Sequence, residues 1–342
     1  MTSRTYSLIL LLPVVILALL VLGLKFYLEP LEGDLTRIGS YKESDYGWNN
    51  PMPVSTNETI SYARYPNKNT TYYPVVVVGD SFSHFKGRRN FGWQQLLADY
   101  SGLDSVTYNR KYVGVEAFIE SEHYNKQPPA LLIFQFVERR LPYIASLAPA
   151  SCPAAQSPAI VPSPVVAAIK DIDFGLYKRP IGLASLDEAM NFLFKRISFK
   201  RRVRINSLTR EDLFSSKLSS RLLWFYTDLK KFQLEDADLE KVGCYLSYLQ
   251  NSVQSNGRTR FLIMIAPDKT TIYGRYFEKD SFEIRDMISP VARPDLNLLR
   301  LDHSLSRAAE NGVQDIYLPN DTHWGFVGND LAAKSVIDFL TR

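Results

Sequence analysis

The sequence predicts an open parallel α/β sheet of five strands with helices on both faces, a long insertion, and an N-terminal transmembrane helix. Three observations predict it. Short β-branched or apolar runs without polar alternation read as strands buried on both faces. Amphipathic stretches separate most of them, which is the pattern of a parallel sheet with crossover helices. An unbroken apolar run, LILLLPVVILALLVLGL, occupies Leu8 to Leu24.

The strands are Pro74–Val78, Ser105–Tyr108, Ala130–Val137, Arg260–Ala266 and, more weakly, Asp315–Leu318. Helical spacing marks Phe91–Tyr100, Val115–Tyr124, Leu239–Gln254, Leu298–Glu310 and Phe326–Leu340. The third and fourth strands are too far apart for one crossover. The stretch between them starts with five prolines in Pro149–Pro164, which reads as a linker or surface loop. The chain thus divides into a signal-anchor (1–28), a connector (29–72), a first half-domain (73–145), an insertion (146–238) and a second half-domain (239–342).

At about 1.5 Å per residue the apolar run is the short end of a membrane span, extended by Phe26, Tyr27 and Leu28 at the interface. No small-residue cleavage site follows it, so an uncleaved anchor is expected, with the remainder outside the membrane. Cys152 and Cys244 would be able to pair there, and two cysteines exclude a four-cysteine zinc site. Asn57-Glu58-Thr59 and Asn69-Thr70-Thr71 fit the glycosylation pattern, which matters only in a eukaryote.

The 342 residues are 46% hydrophobic and 22% charged, which excludes a disordered chain. Net charge is +4, too mild for a general nucleic-acid binder. It is unevenly spread. Lys178–Arg210 holds nine Lys/Arg against Asp187 and Glu188, a local +7, which leaves 4 − 7 = −3 for the rest. That stretch is either a solvated face or a patch for an anionic polymer or lipid headgroups.

The first strand runs straight into Gly79-Asp80-Ser81-Phe82-Ser83, which puts Ser81 at the carboxyl edge of the sheet, where open α/β sheets carry their sites. Alone, such a triplet is an ordinary turn. A nucleophilic serine needs a base, and the chain has four histidines. His84 would have to turn back toward Ser81; His123 and His303 lie in polar helical stretches and are expected to face solvent. His323 follows the fifth strand in Asn320-Asp321-Thr322-His323-Trp324-Gly325, again at the carboxyl edge, with Asp321 placed to fix its tautomer. Ser81, Asp321 and His323 are therefore the expected catalytic group, with no metal and no cofactor.

Other candidates are softer. Lys269 and Tyr273 follow the fourth strand and are candidate contacts for polymer carboxylates or hydroxyls, although Asp268-Lys269 also reads as a plain turn pair. Arg139 is a candidate substrate contact or the partner of Glu138 in an ion pair beneath the site. Trp93 and Trp324 would stack on sugar rings or fill the core.

The Gly79–Ser83 block, Ala266–Tyr273 (APDKTTIY) and Leu298–Ala333, with its Asp-Thr-His-Trp, resemble the SGNH hydrolase superfamily, and most closely its alginate O-acetyltransferase-like branch. The basic middle lies outside the resemblance. It implies a flavodoxin-like sheet, an acetyl-serine intermediate, a polysaccharide acceptor, and a polytopic membrane acyltransferase as acetyl donor. It also implies a single-pass protein of a bacterial inner membrane, its catalytic domain in the periplasm or outside the cell. Gly114 corresponds to the family block that supplies an oxyanion N–H beside that of Ser81. Three features depart from the pattern. The serine block precedes the Asp/His block, unlike in the alginate members. Phe136-Val137-Glu138-Arg139-Arg140 stands where a Gly-x-Asn-Asp is usual, and the spacing is Asp-x-His. Acetyl transfer, a carbohydrate esterase, and an idle polymer-binding subunit of an export complex are the three functions open at this point.

Overall fold

A computed structural model describes residues 3–27, 32–39, 41–56, 61–66, 71–84, 92–152, 172, 174–178, 186, 202–279 and 282–342. The central sheet has six strands, each pair parallel: β2 (Ser61–Ala63), β3 (Val75–Gly79), β4 (Ser105–Asn109), β5 (Leu131–Val137), β9 (Arg260–Ala266) and β10 (Leu298–Leu299), in the order β10-β9-β5-β3-β4-β2. Alternate side chains leave a strand on opposite faces. Val75 and Val77 enter one core with Ile133, Leu262 and helices α4 (Trp93–Ser101), α10 (Leu301–Glu310) and α11 (Phe326–Thr341). Val76 and Val78 enter the other, with Leu132, Phe261 and helices α5 (Val115–Ile119), α6 (Glu122–Lys126), α7 (Leu141–Ala145) and α8 (Asp236–Gln254). Both faces are covered, so the strands have no reason to alternate polar and apolar residues.

The observed sheet is a parallel α/β sheet, as expected, but two elements differ. Asp315–Leu318 is no sheet strand: Asp315 sits at φ 53°, and Tyr317 only bridges Trp324. Its place is taken by β10, which the helical spacing had absorbed into the start of α10. β2 extends the opposite edge. His123 is buried in α6 beside Phe118, its ring 6.4 Å away, rather than facing solvent; His303 is exposed.

The expected connector is folded. It contributes α2 (Asp34–Gly39), α3 (Glu43–Tyr46), β1 (Met52–Val54) and β2. β1 pairs antiparallel with β6 (Gly175–Tyr177), and β7 (Val203–Ser207) with β8 (Arg221–Phe225). Leu35 and Tyr46 form a small core with Val203 and Leu223, so the N-terminal lead-in and the end of the insertion pack together. Cys152 and Cys244 form a disulfide with Cα atoms 5.2 Å apart, tying the start of the insertion to α8. Most of the Pro-rich and basic stretch, Phe91, and most of both glycosylation motifs lie outside the described residues.

Helix α1 (Ser3–Tyr27) contains the apolar run, and Ile9 to Leu20 are exposed. Among the described residues no helix is long and apolar enough to cross a membrane. The continuous stretch of described side chains in α1, 9–24, rises about 24 Å against a hydrocarbon core of about 30 Å.

Beneath the carboxyl edge lies a buried charge cluster. Lys231 Nζ donates to Glu138 Oε2 (2.8 Å), Asp268 Oδ2 (3.1 Å) and Thr271 Oγ1 (2.6 Å). Arg139 pairs with Asp268 and Asp228, not with Glu138. Three carboxyls face two cations; burial pushes Glu138 and Asp228 above the ordinary carboxyl range against the pull of Lys231 and Arg139. The cluster locks the end of β5 to α9 (Lys269–Tyr273), whose N-cap is Asp268. Removing one member of a buried ion cluster strands its partners. Lys231→Met is therefore expected to lower the unfolding free energy by about 3–5 kcal/mol, read as a lower urea midpoint at unchanged slope; an unchanged midpoint contradicts this role.

Candidate active site

The Ser81 turn is built by its neighbours. A Cβ on Gly79 would meet Ser83 Cβ at 2.6 Å and Gln135 Oε1 at 2.9 Å, so only glycine fits. Asp80 locks the turn to the end of β5. Its carboxylate accepts N–H groups from Val137 (2.7 Å) and Phe82 (3.0 Å), and its own N–H donates to Gln135 Oε1 (3.1 Å). Ser81 itself is exposed.

The loop that carries His323 is held from three sides. Lys269, buried at 2% exposure, donates its Nζ protons to the carbonyls of Leu318 (2.9 Å) and Pro319 (3.1 Å). The N–H groups of Leu35 and Thr36, in the first turn of α2, donate to Asn320 O at 3.0 and 3.3 Å. This requires close backbone approach: a Cβ on Gly33 would lie 2.0 Å from Asn320 O. Asp34 accepts the Thr322 N–H (2.8 Å) and hydroxyl (2.5 Å) and donates its own N–H to Asp321 Oδ2 (3.2 Å).

These supports bring together residues far apart in sequence. His323 Nε2 lies 2.8 Å from Ser81 Oγ, and His323 Nδ1 lies 2.6 Å from Asp321 Oδ1. A carboxylate at Nδ1 selects the tautomer with its proton there, which leaves Nε2 as acceptor for the serine hydroxyl. Phe82 packs against the imidazole at 4.8 Å, and Trp324 against Phe82 at 4.9 Å. Burial pulls the His323 pKa down, but the negative charges of Asp321 and Asp34 outweigh it and the pKa is raised above 6.5. Asp34 is itself pushed up to about 6, by burial first and by Asp321 second. Burial pushes Lys269 down to about 7 against the pull of Asp321 and Asp34.

The sequence-based candidates separate here. Ser81, Asp321 and His323 converge. Gly114 sits after β4 as the N-cap of α5, at the same edge of the sheet. Lys269 faces inward and braces the His323 loop, so burial removes it from substrate contact. Tyr273 is fully buried, its hydroxyl accepting the Tyr317 N–H at 3.4 Å. Trp324 and Trp93 are buried at 2% and 0% exposure and belong to the core. Arg139 is spent on its buried carboxylates. Sequence reasoning missed Asp34, 3.8 Å from His323 Nδ1, and Glu43, which accepts from Asn320 Nδ2 at 2.7 Å. An acidic residue in the first turn of a helix carries no signature of such a role.

Asp34, Asp321 and His323 present donor atoms within 4.8 Å of one another, a spacing that a cation could use. Those same atoms are already bonded to Thr322, to backbone N–H groups and to each other. With Ser81, His323 and Asp321 form a hydroxyl–imidazole–carboxylate chain at the carboxyl edge of a parallel α/β sheet. No family model matches this chain, and comparison with curated proteins and solved structures finds no match.

The charge arrangement is testable directly. The ionised Asp34 carboxylate, beside the ring, favours imidazolium. Asp34→Asn is expected to lower the His323 pKa, followed by NMR of the imidazole protons across pH. A pKa that stays put or rises contradicts the placement of that charge.

Proposed function

We propose that this chain is a membrane-anchored, extracytoplasmic O-acetyltransferase that moves acetyl groups through an acetyl-serine onto hydroxyls of an exported polysaccharide. The observation that carries the reading is the continuous bonding from Ser81 Oγ through His323 to Asp321. His323 takes the Ser81 proton as Oγ attacks the acyl carbonyl. Asp321 holds the ring and stabilises its charged form, with Asp34 adding to the same field. The N–H of Ser81, and that of Gly114 by the family resemblance, would bind the oxyanion. The leaving group takes the proton from His323. A sugar hydroxyl then attacks the acetyl-serine with His323 again as base, and free serine is restored. No cofactor enters these steps.

The apolar run of α1 and the disulfide support a chain anchored at a membrane with its folded part in an oxidising compartment. Acetyl-CoA is absent there, so the donor would be a polytopic membrane acyltransferase, as the resemblance implies. A second reading, a carbohydrate esterase, gains support from the exposure of Ser81, which leaves water free to act as acceptor.

The full-length chain, given an artificial acetyl ester and an oligosaccharide, is expected to yield acetylated sugar by mass spectrometry; free acetate alone would leave only the esterase. Ser81→Ala is expected to abolish both products, and full activity in that variant contradicts both readings. Asp321→Asn is expected to lower kcat by about 10⁴-fold, because the wrong tautomer faces the serine. The acid limb of kcat/KM is expected at higher pH than an ordinary imidazole would give, since the base must be neutral and its pKa is raised.

A further inference from the structure

We propose that the outer side of the β7–β8 hairpin, with Arg202, Arg204 and Arg221 around Ile205 and Tyr226, docks on the anionic lipid headgroups of the membrane that α1 enters. The inference rests on the membrane anchoring in the reading above and adds a second contact with the bilayer. It also gives a role to the end of the basic run FKRISFKRRVRI, which leads into β7. Chain length sets where the hairpin sits. Leu35 stands eight residues after Tyr27, the end of α1, and is buried against Val203 of β7 and Leu223 of β8. Eight extended residues cover about 28 Å, so the covalent chain keeps this contact within about 28 Å of the end of the apolar helix.

The register then decides what the hairpin shows to its surroundings. Arg204 lies opposite Trp224, Ile205 opposite Leu223 and Ser207 opposite Arg221. One face is covered by Leu35 and Tyr46, the other enters the main core through Leu222 and Trp224. Among the described residues no further strand lies beside β7, so it is the outer strand. A strand met edge-on presents side chains from both of its faces, and Arg204 and Ile205 reach the same plane from opposite sides. Arg202, Arg204 and Arg221 are exposed, and so are Ile205 at 38% and Tyr226 at 39%. The Tyr226 N–H donates to Arg202 O at 2.9 Å, which seats the ring beside the arginines. Arg37 and Lys42 are exposed on the adjoining α2 and α3. The carboxylates of those helices are committed: Asp34 to Thr322, Glu43 to Asn320 and the Gly33 N–H, and Asp45 to Lys217 at 3.8 Å. Cations are therefore in excess on this corner. Guanidinium groups grip phosphate through paired N–H donors, and a half-exposed tyrosine suits the headgroup level. Each cation close to an anionic leaflet is worth about fivefold in surface affinity. The hairpin packs on α2, and the N–H groups of Leu35 and Thr36 in α2 hold Asn320 of the His323 loop. Docking thus fixes the catalytic edge relative to the bilayer.

Both native cysteines are paired, so Ser207→Cys, an exposed position in β7, gives one free thiol for an environment-sensitive fluorophore. The labelled full-length chain is reconstituted in nanodiscs that contain a headgroup-nitroxide lipid. Quenching is expected to be at least about twofold stronger in discs with phosphatidylglycerol than in phosphatidylcholine discs. Salt at about 1 M, which shortens the Debye length to about 3 Å, is expected to remove the difference. Arg204→Gln with Arg221→Gln is expected to remove it too, and Arg204→Lys with Arg221→Lys to keep it. Hydrolysis of a small soluble acetyl ester stays within about twofold in both pairs, which shows that the hairpin and the serine site remain folded. Quenching that is independent of lipid charge overturns the docking surface. So does quenching that answers to a soluble polyanion and not to the lipid, which would assign the patch to a polymer. A chain that never enters neutral discs discards the anchor alone; co-sedimentation with phosphatidylglycerol vesicles and not with phosphatidylcholine vesicles would then keep the docking surface, and no binding to either would overturn it.

Discussion

The contact between Ser81 Oγ and His323 Nε2 joins residues 242 positions apart, and the arrangement of the molecule is legible from what that contact requires. A hydroxyl and an imidazole must be held within a few tenths of an ångström from two separate loops. One loop leaves β3 and is fastened by Asp80 and Gln135 to the next strand. The other follows α10 and has no strand of its own in the sheet. Its position comes from Lys269, from the first turn of α2, and from Asp34. The parallel sheet supplies a common edge, and these side chains supply the precision.

The supports are charged or polar and mostly buried, which sets their electrostatics. Asp321 pulls the pKa of His323 up against burial. Asp34 adds a second carboxylate 3.8 Å from the same ring nitrogen while bonding the intervening Thr322, so one residue both positions the loop and charges its surroundings. Lys269 lies close enough to feel both carboxylates and remains buried, its protons committed to two carbonyls. Behind it the Glu138–Lys231–Asp268–Arg139 cluster fixes α9. Burial makes each of these groups costly to leave unpartnered, and that cost couples the edges of β5 and β9 to the histidine loop.

Where a residue's signal was local, the sequence was sufficient. Val75–Val78, Leu131–Val137 and Arg260–Ala266 are apolar throughout because both faces are covered, and their strands fall where the runs predict. Ser81 was legible because a strand end projects its turn to the edge; the strand expected before Asp321 and His323 is absent, and their loop reaches the same edge through Lys269 and the first turn of α2. Where the determinant was tertiary, reading failed. Asp315–Leu318 has strand-like residues, but the backbone turns at Asp315 and leaves the sheet. Lys269 carries a charge that ordinarily faces water, and only its two carbonyl partners explain its burial. Tyr273 and Trp324 follow the common fate of large rings. Asp34 belongs to a polar lead-in whose fold depends on a partner from the far end of the chain, a pairing that no local pattern encodes.

Acetyl transfer through this site requires that Ser81 become acylated. The full-length chain should be mixed with an acetyl ester, quenched in acid within one turnover and measured by intact mass, with the modified peptide sequenced. The prediction is one added acetyl group on Ser81, absent from Ser81→Ala. An unmodified chain during active turnover, or an acetyl group on another residue that survives Ser81→Ala, would contradict it.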